Sequence, residues 1–428
     1  MKRWFKHGLW AVPALAVVAT GLWLVSPQGN GEPARAGAFA QVPLTDPALI
    51  AKGKYLAAAG DCAACHTARN GKPYAGGRAV PTPFGDVYVP NITPDKTTGI
   101  GAWSFDDFWR ALHLGKGKAG QYLYPVFPYT SYTKVTREDA RAIFAYLHSL
   151  PAVNRPDQAP QLDFPYNVRS ALALWRGLNF DAGTYRPDPE KSAQWNRGAY
   201  LVQGLGHCVE CHTTRSWTGG YADGKTLVGG TIPGQHWYAP DLSMAKGGGL
   251  ASWSEDDLVD LLKTGLSRRG AVFGPMANVV RESTQYMTRD DLKAMAVYLQ
   301  SLPPRPAAQD KPFARSTDFA AGKALYKQNC AACHGDDGQG VAGIYPGLDG
   351  NTLVTAPTSA DAVRTVLLGG FPPSTKANPE PYSMPPFAHS LSDGQIAEVV
   401  TYVRQAWSNK AGAVDAATVR KARYLPND

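Results

Sequence analysis

The sequence predicts an all-α fold of three tandem domains, preceded by an N-terminal membrane segment. A C-x-x-C-H motif occurs three times in 428 residues, each time between two helical segments, and residues 8–25 carry no charge. The predicted organisation is an anchor or signal at residues 1–25, a tether at 26–44, domains at 45–155, 190–305 and 313–410, a linker with a short helix at 156–189, and a tail at 411–428.

The N-terminal segment favours a retained anchor. Its uncharged run over residues 8–25 exceeds the core of about 7–15 residues that signal peptides have. The small-residue sites around Ala36, Ala38 and Ala40 lie well beyond the end of that run. Because residues 1–7 are basic, we expect the N-terminus in the cytoplasm and the rest of the chain outside. A cleaved signal peptide is the alternative, and the chain is exported in either case.

The three motifs use all six cysteines, and they are Cys62-Ala-Ala-Cys65-His66, Cys208-Val-Glu-Cys211-His212 and Cys330-Ala-Ala-Cys333-His334. Two thiols one helical turn apart can add across the two vinyl groups of one porphyrin, and the adjacent histidine offers its imidazole to the iron. The motifs begin 208 − 62 = 146 and 330 − 208 = 122 residues apart, too far for a zinc ribbon. No βαβ pattern surrounds them, which argues against a thioredoxin-like pair. The sequence therefore predicts three covalently bound haem c groups in class I-like cytochrome c domains.

The elements follow one order in each domain. A short helix precedes each motif and carries a tyrosine: Tyr55, Tyr200 and Tyr326. In the first two domains a serine followed by acidic residues, Ser104 and Ser254, predicts the start of a further helix. Closing amphipathic helices are predicted over residues 138–150, 290–302 and 392–407. In the linker, residues 168–178 predict a helix that packs between two domains, with docking of a partner or the membrane as the alternative.

Haem iron that transfers electrons needs a second axial ligand, and methionine raises its potential. In the third domain Met384 stands in a Met-Pro loop before the closing helix. In the second domain Met276 follows Gly-Pro, and Met287 is the second choice because a core role explains its place at the start of the closing helix. The first domain has no methionine. At the expected position stands Phe127, with 127 − 66 = 61 residues to its motif against 276 − 212 = 64 in the second domain.

Phenylalanine cannot ligate iron, so the first haem either takes another side chain or is open on its distal side. His113, on the preceding helix, is the first alternative ligand, and His148 is the next. A lone histidine on a helix is more often a core or surface residue than a ligand.

These patterns resemble the three-haem cytochrome c subunits of bacterial membrane-bound dehydrogenases, a family that serves alcohol, gluconate, fructose, glucose and aldehyde dehydrogenases. The resemblance covers about residues 45–410 and rests on Gly60-Asp-Cys62, Asn91-Ile-Thr-Pro94, Leu123-Tyr-Pro125, Pro128-Tyr129, Trp195-Asn-Arg-Gly-Ala-Tyr-Leu201 and Gly274-Pro-Met276. It implies Met276 and Met384 as axial ligands. Alcohol-oxidising members have a methionine where Phe127 stands, and this departure places the coordination of the first haem outside their pattern.

The resemblance also implies a function. The chain would be an electron-transfer subunit that passes electrons from the flavin, pyrroloquinoline quinone or molybdenum centre of a large catalytic subunit to ubiquinone or a terminal oxidase. A small accessory subunit is expected in the complex. It would act on the periplasmic side of the bacterial inner membrane, held by the uncleaved N-terminal helix.

Charge and missing motifs exclude other classes. The formal charge of +8 is dispersed without a basic run, and haem propionates would offset most of it, so no nucleic-acid partner is predicted. The chain has no dinucleotide fingerprint, P-loop or nucleophile elbow. Two alternatives stay open: a free-standing membrane-anchored multihaem cytochrome that feeds an oxidase, and a haem enzyme that uses an open first haem.

Overall fold

The computed structural model describes residues 43–222, 226–245, 249–304 and 319–425. This part of the chain contains sixteen α-helices and seven short strands. The all-α prediction is therefore wrong, because three small antiparallel sheets lie among the helices. The strands have only two to four residues, too few to show the alternation of apolar and polar residues by which a strand is recognised.

The predicted fold class includes a membrane segment, but no helix in this part of the chain corresponds to it. Within the described ranges, every helix is too short or too polar to span a bilayer. The predicted segment at residues 1–25 and most of the predicted tether lie outside the described residues.

The first domain, around the first motif, has five helices: α1 (Pro47–Ala59), α2 (Cys62–His66), α3 (Phe105–Leu114), α4 (Tyr129–Tyr132) and α5 (Arg137–Ser149). Its strands β1 (Ala79–Thr82) and β2 (Gly85–Tyr88) form an antiparallel hairpin, to which β3 (Gln161–Leu162) adds. Helices α1 and α5 cross at Gly53. A Cβ there would lie 1.8 Å from the carbonyl oxygen of Ala142, so only glycine permits this approach.

In the linker, helix α6 (Leu172–Asn179) contacts both neighbouring domains. Trp175 Nε1 donates a 2.9 Å hydrogen bond to the carbonyl of Thr218, which belongs to the second domain. The Arg176 guanidinium lies 4.9 Å and 5.1 Å from the ring centroids of Tyr122 and Tyr129, which belong to the first. These contacts favour the packing interpretation of this helix.

The second domain repeats the first. Its helices are α7 (Ala193–Tyr200), α8 (Val209–His212), α9 (Glu255–Thr264), α10 (Gly274–Glu282) and α11 (Arg289–Gln300). Two strand pairs lie between them, β4 (Gly230–Thr231) with β5 (Tyr238–Ala239) and β6 (Leu266–Ser267) with β7 (Gly270–Ala271). A π-helical turn, Leu201–Leu205, follows α7. It accommodates the one residue by which the path from Gly198 to Cys208 exceeds the path from Gly53 to Cys62.

The third domain contains α12 (Phe319–Asn329), α13 (Ala331–His334), α14 (Ala360–Leu368), α15 (Asp393–Gln405) and α16 (Ala416–Arg423). Helix α16 lies in the segment that the sequence predicts as a tail. It packs on α15 through Arg423, whose Nε donates a 2.9 Å hydrogen bond to Asp393 Oδ1. The first and second domains share one hydrophobic core, whereas the third has a core of its own.

Candidate haem sites

The three motif histidines have the same hydrogen-bond partner. Nδ1 of each lies close to a proline carbonyl oxygen further along the chain: His66 to Pro90 at 2.8 Å, His212 to Pro240 at 2.8 Å, and His334 to Pro346 at 3.0 Å. Burial lowers the pKa of all three imidazoles, that of His66 to about 4. A neutral ring that donates from Nδ1 keeps the Nε2 lone pair available for a metal.

The motif cysteines are all free thiols. Burial raises the pKa of Cys62, Cys208 and Cys211 to about 12, and that of Cys65 and Cys330 to about 11. A redox-active C-x-x-C pair needs the opposite shift, because the thiolate is the nucleophile. These thiols therefore do not resemble a thioredoxin-type centre, and their spacing fits attachment to a porphyrin.

A cavity of about 180 Å³ lies beside the third motif. Its lining includes Cys330, Cys333, His334 and Met384, and most of its surface is apolar. Two backbone hydrogen bonds fix the loop of Met384. Met384 N donates to Gly370 O at 2.8 Å, and Gly370 N donates to Met384 O at 3.1 Å. Thiols, imidazole and thioether thus face one apolar space, which is the set of groups that a haem c needs.

The second motif borders a cavity of about 210 Å³, lined by Cys208, Cys211 and His212. Both candidate methionines, Met276 and Met287, also line it. Met287 is buried, and its carbonyl oxygen accepts a 2.6 Å hydrogen bond from Lys263 Nζ. Met276 lies in the first turn of α10.

Arg269 provides a further test of whether this cavity fits a haem. Its side chain lines the cavity, and its Nε is buried without a hydrogen-bond partner among the described residues. A buried guanidinium N–H costs free energy unless it is paired. A propionate of a haem in this cavity would supply the missing acceptor.

Helix α3 and the turn after it match helix α9 and its turn, although the turn is one residue longer in the first domain. Helices α3 and α9 begin with the same capping box, at Ser104 and Ser254, and both end at a glycine with positive φ, Gly115 and Gly265. The next turn closes with matching bonds, since Leu123 N donates to Gly115 O and Val272 N to Gly265 O, both at 2.9 Å. The fourth residue after that bond is Phe127 in the first domain and Met276 in the second. Phe127 thus occupies the position of a ligand candidate.

His113 is engaged elsewhere. Its Nδ1 lies 3.1 Å from the carbonyl oxygen of Thr133, and its ring stacks on Trp109 at 4.6 Å between centroids. The equivalent residue in the second domain is Lys263, which bonds the equivalent carbonyl, that of Gln285, at 2.6 Å. Lys263 is not part of the second cavity's lining, although its neighbours Leu258, Leu261 and Leu262 are. His113 therefore fits a structural role better than that of a ligand.

His148 is also placed away from the expected position. Its Nδ1 lies 3.1 Å from the carbonyl oxygen of Phe144 in the preceding turn of α5. The equivalent residue in the second domain is Gln300, outside the second cavity, whereas Leu299 lines that cavity.

Asp361 is a site residue that sequence reasoning missed, and Arg364 lies one turn further along the same helix. Both are buried on α14, Asp361 lines the second and third cavities, and its Oδ1 accepts a 2.8 Å hydrogen bond from the backbone N–H of Tyr238. Burial raises the pKa of Asp361 to about 7, although Tyr238 and Arg364 act in the opposite direction. The Arg364 guanidinium lies 4.8 Å from the ring centroid of Trp237 in the second domain. The sequence did offer a signal for these residues, because an acidic and a basic residue stand three positions apart in a mostly apolar helix.

The sites adjoin one another. Five residues line both the second and the third cavity: Ala271, Phe273, Asn351, Leu353 and Asp361. Ala59 and Asp61, which precede the first motif, line the second cavity. The second site therefore lies between the first motif and the third site.

Comparisons with known proteins agree with this chemistry. A family model described as cytochrome c matches residues 50–151 and 319–407. The cytochrome c subunit of the alcohol dehydrogenase (quinone) of Gluconacetobacter polyoxogenes is 42% identical over 404 residues, which cover 90% of this chain and 86% of that protein. The gluconate 2-dehydrogenase cytochrome c subunit of Pantoea cypripedii is 40% identical over 398 residues, with 87% and 90% covered. The fructose dehydrogenase cytochrome subunit of Gluconobacter japonicus is 36% identical over 405 residues, with 87% and 82% covered.

Proposed function

Since this chain belongs to the family of dehydrogenase cytochrome c subunits, which transfer electrons and do not oxidise the substrate themselves, we propose that it carries three covalent haem c groups. It relays electrons from a catalytic dehydrogenase subunit to an acceptor at the membrane. Each haem is attached by one cysteine pair and bound at the iron by the adjacent histidine, as the sequence predicts.

The repetition of one local geometry supports this proposal. At each of three places a cysteine pair precedes a histidine whose Nδ1 faces a proline carbonyl oxygen. That bond orients the ring and fixes the tautomer that can bind iron through Nε2. A disulfide would not need this arrangement, and the described residues contain no group of three or more side chains that could hold a zinc ion.

The chain's own side chains would set the potentials. Haem c supplies a one-electron ferric–ferrous couple when bound. Met276 and Met384 offer thioethers, which raise the potential of the second and third sites. The apolar walls exclude water and disfavour the more highly charged ferric state. The first site, with Phe127 at the position of Met276, has the outlying potential.

The walls that the sites share support a relay. The second cavity borders both the first motif and the third cavity, so electrons that cross the protein would pass through the second site. Cys62 and Cys208 pack against the core that the first two domains share, and Cys330 packs against the core of the third.

The donor and acceptor follow from the family. The donor is a flavin, pyrroloquinoline quinone or molybdenum centre in a large catalytic subunit, with a small accessory subunit in the complex, and the acceptor is ubiquinone or a terminal oxidase. The relatives serve alcohol, gluconate and fructose dehydrogenases. Because haem attachment to C-x-x-C-H takes place outside the bacterial cytoplasm, we place the complex on the periplasmic side.

A haem count tests the proposal directly. The purified protein should contain three covalent haems by pyridine haemochrome assay and intact mass. Replacing Cys330 and Cys333 together by alanine should lower the count by one and remove a Met-type haem. Ala332→Ser, in the same motif, is the matched control and should leave the count unchanged. A wild-type count below three contradicts the proposal.

Affinity purification identifies the partner. A tag at the C-terminus of this chain should retain a large flavo-, quino- or molybdoprotein in stoichiometric amount, and that protein's substrate should reduce the haems. If the chain purifies without such a subunit, the hypothesis of a free-standing cytochrome replaces the dehydrogenase complex.

A further inference from the structure

Phe127 is the feature of the first site that the relay does not explain. It stands at the position of Met276, and its side chain has no lone pair to offer a metal. The sequence contains no methionine between Met1 and Met244, so no thioether of the first domain can take its place. We propose that the haem attached to Cys62 and Cys65 has no protein ligand opposite His66 and binds a small neutral ligand, such as carbon monoxide or nitric oxide, beside Phe127. This inference rests on the proposed attachment of a haem at the first motif.

The histidines of the first domain do not replace the missing ligand. His113 and His148 bond backbone carbonyls through Nδ1. Their equivalents in the second domain, Lys263 and Gln300, lie outside the lining of the cavity there. Because α3 and α5 match α9 and α11 when counted from their N-caps, the two histidines lie off the equivalent space in the first domain.

The side chains next to Phe127 are also held in contacts with other groups. Tyr132, whose ring centroid lies 5.4 Å from that of Phe127, donates its hydroxyl to the carbonyl oxygen of Gly60 at 2.7 Å. His207 of the second domain meets the edge of Tyr132, but it lines the second cavity. The Tyr124 ring lies under the guanidinium of Arg169, at 4.8 Å from the centroid.

The surroundings of Phe127 select the class of ligand. Phe127 packs against the apolar core that the first two domains share. An anion placed there loses its hydration with the ferric iron as its one charged partner, whereas a neutral diatomic molecule pays no such cost. We therefore expect carbon monoxide to bind the reduced protein more readily than cyanide or azide binds the oxidised protein.

The test uses the full-length protein with its haem content measured first. Carbon monoxide is added to the reduced protein, and the difference spectrum gives the number of carbon monoxide molecules per chain. We expect one, with a high-spin ferric signal of matching intensity in the electron paramagnetic resonance spectrum of the oxidised protein. Phe127→Met should abolish both and add a Met-type absorption band. Phe127→Leu, which removes the ring without adding a donor, should retain both.

Each of the other outcomes overturns either this inference or the proposed function. A protein with three haems that binds no carbon monoxide and is entirely low-spin overturns this inference while leaving the proposed function intact, because another side chain then ligates the iron. Carbon monoxide binding that persists in Phe127→Met also overturns it, since the open position then lies elsewhere. A wild-type protein without a haem at the first motif instead overturns the proposed function. If Phe127→Met does not fold, the wild-type spectra and Phe127→Leu still decide.

Discussion

The hydroxyl of Tyr55 in the first domain donates a 2.5 Å hydrogen bond to Asp291 Oδ2 in the second. The reciprocal bond also exists, since Tyr200 in the second domain donates to Asp139 Oδ2 in the first at 2.6 Å. Each aspartate is also paired within its own domain, Asp291 with Arg197 and Asp139 with Lys52. The first two domains are therefore related by an approximate twofold axis, and this interface brings the first motif to the wall of the second cavity.

Removing one of these interdomain bonds should weaken the shared core. Tyr55→Phe deletes the hydroxyl, and we expect the free energy of unfolding to fall by about 1–3 kcal/mol because the bond is made to a charged acceptor. Tyr200→Phe should have a similar effect. Tyr146→Phe is the matched control, since its hydroxyl makes only a 3.5 Å contact with Tyr74. Urea unfolding followed by tryptophan fluorescence measures the difference, and equal stability of Tyr55→Phe and wild type would contradict this role.

Acid should loosen the same interface. Burial raises the pKa of Asp291, but the hydrogen bonds from Arg197 and Tyr55 outweigh it, so the folded-state pKa lies below the usual value. A depressed folded pKa contributes stability above the unfolded pKa of about 3.9, and this contribution is lost as the pH falls through the folded value. Unfolding free energies measured between pH 7 and about pH 3 should therefore decline less steeply for Asp291→Asn than for wild type. Parallel curves would exclude this source of acid sensitivity.

Glu210, inside the second motif, forms another link between domains that the sequence did not predict. Its Oε1 accepts hydrogen bonds from Tyr221 at 2.5 Å and from Thr130 of the first domain at 2.9 Å, and its Oε2 pairs with Arg215 at 2.8 Å. Glu210→Ala leaves the partly buried Arg215 guanidinium without its carboxylate, although its bond to the Glu210 carbonyl oxygen remains, so we expect a loss of about 1–3 kcal/mol in unfolding free energy. Glu210→Gln keeps one acceptor and should lose less. Unfolding of the haem-loaded protein by guanidinium gives both values, and a loss below that of an exposed ion pair such as Arg289→Ala would contradict the link.

Sequence reasoning can anticipate which side chains become neighbours where the residues are close along the chain. Cysteines, histidine and methionine of the third domain meet in one cavity because a motif on a helix and a Met-Pro loop before the closing helix determine their positions. It failed where the partners are distant along the chain. Tyr55 and Asp291 are 236 residues apart, and nothing near either residue indicates the other. The short strands were not predicted, for a different reason. Their hydrogen bonds stabilise turns around the sites, and the sheets they form are too small to leave a sequence pattern.

The two methionines of the second cavity can be distinguished. We expect Met276→Leu to remove one Met-type absorption band and to lower one haem potential, because the iron loses its thioether. Met287→Leu is close in volume and should leave the spectrum and potential unchanged, with at most about 1.5 kcal/mol of lost stability as a core substitution. Redox titration followed in the visible region measures both. The opposite result would make Met287 the ligand.

Asp361 should couple the potentials of the second and third sites to pH. It is buried, lines both cavities and has a pKa that burial raises to about 7. When its carboxyl group loses a proton, the negative charge stabilises the ferric state, so both potentials should fall as the pH rises through about 7. The raised folded pKa also means that the stability from the protonated group is complete below the unfolded pKa of about 3.9 and is lost as the pH rises through 7. Asp361→Asn should flatten the pH dependence of both potentials between about pH 5 and 8, whereas the control Asp349→Asn, outside both cavities, should preserve it. If Asp361→Asn titrates like wild type, the haem propionates and not Asp361 carry the coupled proton.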